Sequence, residues 1–117
     1  LWAIGYFPAW SRKEETEMGI DVVVAVKLDS SGEPELFKIE HYTGQQTNST
    51  GAYRIEAASW VASAVQGGAQ IDTRFERDGH SFLVGYLTVS VDHAGKQTLG
   101  IDDRNGLGRT IDQLPKL

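Results

Sequence analysis

Tyr53-Arg54-Ile55-Glu56-Ala57-Ala58-Ser59-Trp60-Val61-Ala62-Ser63-Ala64-Val65-Gln66-Gly67-Gly68 is the one stretch of the 117-residue chain with a convincing helical period. Ile55, Ala58, Ala62 and Val65 fall on one stripe, which Ala57, Val61 and Ala64 widen. Glu56, Ser59, Ser63 and Gln66 take the other side. The spacing predicts a helix over residues 53–66, stopped by Gly67-Gly68 because glycine takes the left-handed cap conformation without penalty. Its small alanines suggest close packing onto a sheet, so the fold turns on what lies to either side.

On the N-terminal side, residues 21–28 alternate Val22, Val24, Val26 and Leu28 with Val23, Ala25 and Lys27, a β-branched strand pattern. Asp29-Ser30-Ser31-Gly32-Glu33-Pro34 is turn chemistry. Residues 35–42 read as the return strand, with Phe37, Ile39 and His41 opposite Leu36, Lys38, Glu40 and Tyr42. Residues 43–51 read as a polar loop. On the C-terminal side, residues 70–77 form a strand and Asp78-Gly79 gives the strongest tight-hairpin signal of the chain. Residues 80–91 form a long strand. It carries Phe82, Val84, Tyr86 and Thr88 on one face and Leu83, Leu87, Val89 and Val91 on the other. A turn at Asp92-His93-Ala94-Gly95-Lys96 leads to a fifth strand over residues 97–101. The expectation is an α+β, two-layer fold: a mainly antiparallel sheet of four or five strands with one helix, in β-β-α-β-β-β order.

Length and composition bound the rest. A chain of 117 residues makes one domain and buries roughly two-thirds of its unfolded surface. Hydrophobic residues at 40% and charged residues at 23% exclude wholesale disorder. No apolar run nears the roughly 18 residues of a membrane helix, so no membrane partner is expected. Cysteine is absent, which removes disulfides, thiolate metal sites and a thiol nucleophile, and leaves the compartment open with a cytoplasmic location as the expectation. With 11 basic against 16 acidic residues the net charge is −5, and no nucleic-acid partner is expected. Residues 1–19 read as an aromatic N-terminal arm and a short charged bridge, and residues 20–117 as the domain.

The strand ending Glu40-His41-Tyr42, the segment Tyr53-Arg54-Ile55-Glu56 opening a helix that carries Trp60, Gly67-Gly68, and the closing Thr110-Ile111-Asp112-Gln113-Leu114-Pro115-Lys116-Leu117 together form a pattern. Over residues 22–117 it resembles the small bacterial family known as domain of unknown function 3892. The chain departs from that pattern in the long connection over residues 43–53 and in the basic, glycine-rich loop over residues 104–109. The family has no established activity, so the resemblance implies no site residue.

Motifs for catalysis are sparse. His41, His80 and His93 are the only histidines, and the last two bound a strand about twelve residues, roughly 35–40 Å, long. Solvated turn histidines are the reading, with no metal and no cofactor expected. Asp103, Asn105, Gly106 and Asp112 have part of a calcium-loop spacing, but Ile101 stands where the first acidic ligand belongs. Asp102-Asp103 point apart in an extended chain, and Asp72 and Glu76 flank Arg74 as on a solvated face. No Gly-x-Ser-x-Gly elbow exists, and the one Gly-Lys pair, Gly95-Lys96, precedes Gln97 rather than Ser or Thr. Arg104, Arg109 and Lys116 are a thin footprint for nucleic acid.

The anomaly is aromatic. Trp2, Tyr6, Phe7 and Trp10, four of the eleven aromatics, crowd into the first ten positions. They read either as an arm completing this domain's core over the sheet's second face, or as an interaction segment for another subunit. The functional expectation is a small non-enzymatic module working by protein–protein contact with a protein partner or as a homo-oligomer. The alternatives are a small-ligand-binding or catalytic domain, with His41, Tyr53 and Trp60 lining a pocket between helix and sheet, and an acidic inhibitor or immunity-type protein masking a basic partner.

Overall fold

A computed structural model of the chain describes residues 20–43, 48–103 and 106–117; residues 43 and 48–51 are described by backbone alone. The aromatic arm, the charged bridge, the middle of the polar loop, and Arg104 and Asn105 lie outside the described residues.

The fold is α+β with one helix and a curled, mixed sheet of six strands. In chain order these are β1 (Ile20–Leu28), β2 (Pro34–Thr43), β3 (Asn48–Ala57), helix α1 (Ala58–Gln66), β4 (Ile71–Arg77), β5 (His80–Val91) and β6 (Gln97–Ile101), followed by a 3-10 turn at Ile111–Gln113. The strands lie side by side as β3-β2-β1-β4-β5-β6. Four of the five pairings are antiparallel, and β1 with β4 is parallel. A parallel pair requires a crossover, which β2, β3 and α1 together supply.

Two expectations are corrected. The order is β-β-β-α-β-β-β, because residues 53–57 belong to a strand and the helix begins at Ala58. Pairing decided this: Ile55 faces Lys38, Arg54 faces Ile39 and Glu56 faces Phe37 on β2. Tertiary pairing outweighs a weak helical period. It puts Ile55 on the sheet face away from the helix, so the buried helix residues are Val61 and Ala62. The second correction concerns β5, where Asp72 pairs with Tyr86 but Arg74 pairs with Leu83. The extra residue is a β-bulge that swaps faces partway along the strand. Phe82, Val84 and Leu87 therefore share the core side instead of dividing between faces.

Gly85 sits in that bulge because nothing larger fits. A Cβ there would stand 1.7 Å from the Asp102 carbonyl oxygen. Asp102 N–H in turn donates to the Tyr86 carbonyl at 2.8 Å. Past the bulge, β5 and β6 curl toward the helix, so that Lys96 in the β5–β6 turn lies 3.7 Å from Glu33 in the β1–β2 turn. Both turns have one build. Asp29 Oδ1 accepts from Ser31 and Glu33 N–H, Asp92 Oδ1 accepts from Ala94 and Lys96 N–H, and Gly32 and Gly95 hold φ of 88° and 86°. Asp78 and Gly79, with φ of 54° and 81°, make the expected tight primed turn.

The helix-side face holds the main core: Val23, Val26, Phe37, Ile39, Val61, Ile71, Phe75, Val84, Leu87, Ile111 and Leu114. The tail belongs to it. β4 pairs with β1 only at Asp21, Val22 and Val23, and farther along β1 the vacated edge is taken by the chain end. Val26 N–H donates to the Pro115 carbonyl at 2.9 Å, and Leu117 N–H to the Val26 carbonyl at 3.0 Å.

Candidate functional site

The bulge at Val24 lets β1 present apolar groups to both faces. On the face away from the helix, Val22, Val24, Ala25 and Tyr42 form a second buried cluster with Ile20 against it; its described members all come from β1 and β2. Arg74 on β4 reaches across β1 and ties down this cluster. Its Nη1 donates to Glu40 Oε1 at 3.4 Å and to the Tyr42 hydroxyl, both on β2. The guanidinium also lies 5.9 Å from the Tyr42 ring centroid. Val22, under this strap, is fully buried although no described helix covers it. The strap is incompletely satisfied, because Arg74 Nε is buried and donates to no acceptor. The same face exposes apolar side chains toward its two sides: Tyr53 at 61% and Ile55 at 44% on β3, and Leu83 at 36% on β5. Lys38 Nζ sits 4.5 Å over the Tyr53 ring.

A second arginine makes the mirror arrangement on the helix side. Arg54 on β3 reaches over β2 to Asp21 on β1, with Nη2 donating to Oδ2 at 3.1 Å, while its Nε donates to Glu56 Oε2 at 3.1 Å. His41 Nδ1 lies 3.1 Å from Asp21 Oδ1; a carboxylate only accepts, so His41 donates. The Arg54 guanidinium also stacks 5.4 Å from the Trp60 ring. Burial pushes the Asp21 carboxyl up, but the hydrogen bonds from His41 and Arg54 and their charges outweigh it and hold the group below its ordinary 3.8. Both straps stand at the start of β1, where the chain enters the sheet.

Of the three side chains expected to line a pocket, His41 and Trp60 are joined through Asp21 and Arg54, and Tyr53 is on the opposite face. The cavity between helix and sheet is elsewhere. It measures about 330 Å³ and has Pro34, Ala58, Ala62 and Leu99 among its walls and the Glu33–Lys96 pair at its rim. None of His41, Tyr53 and Trp60 reaches it. Residues 48–51, expected as part of a polar loop, belong to β3. Trp2, Tyr6, Phe7 and Trp10 lie outside the described residues.

Three other residues noted in the sequence have described contacts. Asp103 Oδ1 accepts from Leu107 N–H at 2.9 Å, and its Oδ2 accepts from Gly108 N–H, closing a loop. Arg109 packs 5.9 and 5.6 Å from the Phe75 and Phe82 rings. Lys116 Nζ donates to the Leu114 carbonyl at 2.9 Å. Among the described residues no three His, Asp or Glu side chains gather into a metal-binding group, and no helix is long and apolar enough to cross a membrane. Arg74 and Arg54 were not singled out as binding groups from the sequence: Arg74 stands between Asp72 and Glu76, and Arg54 two residues before Glu56, which disguised a cross-strand reach as ordinary solvation. No family model, curated protein or solved structure matches the chain.

Proposed function

We propose that this domain is a non-enzymatic protein–protein interaction module that assembles with copies of itself. The observation that carries the reading is the sheet face away from α1, which among the described residues exposes Tyr53, Ile55 and Leu83 and holds the desolvated Arg74. Tyrosine and arginine are the side chains that dominate binding energy at protein interfaces, and they do so where water is excluded. Trp2, Tyr6, Phe7 and Trp10 supply matching apolar surface from the same chain. The test is joint alanine substitution at Trp2, Phe7 and Trp10. Association, read as solution mass, is expected to be lost while the circular dichroism of the domain is kept. Unfolding of the triple variant would instead place the arm in the core and remove the reading's main support.

A further inference from the structure

We infer that two copies join edge to edge, β3 of one chain adding antiparallel to β3 of the other about a twofold axis at Ile55. The inference rests on the self-assembly reading and names the surfaces that meet. β3 ends the sheet on its side, and no described strand lies beyond it. The direction of its backbone groups follows from its neighbours. Val26 turns both its N–H and its carbonyl toward the tail, so the next residue back, Ala25, exchanges its backbone bonds with Lys38 on β2. Phe37 and Ile39 then turn toward β3, where they meet Glu56 and Arg54. The N–H and carbonyl of Tyr53 and Ile55 are thereby directed outward from the sheet. Ala57 is the helix N-cap, so its carbonyl serves α1 and its N–H alone joins that row. Such a row is a template for another strand unless the edge is short, bears lysine, or is broken by proline or a bulge. Residues 52–57 contain neither lysine nor proline, and the pairing of Tyr53 through Ala57 with β2 is regular. The opposite edge is protected: β6 has five residues and packs Leu99 and Ile101 against the core.

The side chains select the partner and the register. With the axis at Ile55, that residue opposes its own copy, and Arg54 of each chain opposes Glu56 of the other. An axis at Arg54 or at Glu56 sets like charges directly opposite, which destabilises the pair. An axis at Tyr53 leaves Arg54 against Ala52 and gains no charge pairing. The complementary register is also one in which the two central residues exchange both backbone bonds. Both helices then lie on one face of a continuous sheet. On the other face, the exposed Tyr53 and Ile55 of the two copies form one apolar row.

The chain has no cysteine, so engineered thiols report without background. Two residues opposed across the axis have Cα atoms about 5.5 Å apart, within the span of a disulfide. Ile55→Cys is oxidised in the 117-residue chain beside two exposed controls, Ser59→Cys and Ser81→Cys. Crosslinks are read on a denaturing gel, and light scattering gives the masses of the unoxidised proteins. The inference expects twice the 12.8 kDa chain mass and near-complete crosslinking at Ile55→Cys, with little at either control. Arg54→Glu and Glu56→Arg are each expected to lose the doubled mass alone and to regain it when mixed. Only the mixed pair sets opposite charges across the axis at both places. Circular dichroism checks the fold of each variant, and where a charge variant unfolds the Ile55→Cys result decides alone. A doubled mass without preferential crosslinking at Ile55→Cys, or one that both folded charge variants retain, overturns the β3 pairing and leaves self-assembly standing. A single-chain mass at every concentration overturns both.

Discussion

Gly85 is the residue on which the curl of the sheet depends. Its missing side chain admits the Asp102 carbonyl, and in Gly85→Ala the new Cβ would stand 1.7 Å from that backbone oxygen. We expect this substitution to cost more than about 3 kcal/mol in denaturant melts. Gly100→Ala, which meets only the Thr88 hydroxyl at 3.2 Å, should cost far less. Asp21 makes a pH prediction with a definite sign. Its folded carboxyl is held below the ordinary 3.8, so its contribution is complete above that value and disappears as pH falls through the folded-state pKa. The stability gap between the wild type and Asp21→Asn, measured by thermal melts, should therefore be present at pH 5–7 and shrink steadily below pH 3.8. Neither residue was legible as important beforehand. A glycine inside a strand pattern announces a bulge only when the register of the neighbouring strand is known, and Asp21 gains its partners from β2 and β3.

At the scale of elements, β5 and β6 were readable to the residue, and β1, β2 and β4 to within one, because β-branched alternation between turn residues is a local signal. The three tight turns were equally local, since an Asp side chain and a positive-φ glycine close each of the first and last, and Asp-Gly closes the middle one. β3 was not readable. Its alternation of Tyr53 and Ile55 with Arg54 and Glu56 also fits a helix entry, and only pairing with β2 separates the two. The late helix start has a consequence. Ala57 occupies the N-cap with no side-chain hydrogen bond, and no acidic residue lies in the first turn. Ala57→Asp should therefore stabilise the domain by about 1 kcal/mol, seen as a raised melting temperature.

Over the whole molecule, the two sheet faces are held differently. One is closed by α1 and by the tail, whose Leu114 is buried and whose backbone completes β1 where β4 departs. Leu114→Ala should cost about 2–5 kcal/mol in chemical denaturation. On the other face, among the described residues, an arginine strap lies over a small apolar strip, and Tyr53, Ile55 and Leu83 are exposed. The parallel β1–β4 pair that creates this division is a long-range event that strand patterns do not encode, so the unequal faces were only partly foreseeable from apolar residues on both sides of β5 and the crowded N-terminal aromatics. The claim that this face assembles copies of the chain is tested most directly by the solution mass of the 117-residue chain across a wide concentration range, by light scattering after size exclusion. The account expects a defined oligomer that Tyr53→Asp reduces to a folded single chain; a mass of 12.8 kDa at every concentration would contradict it.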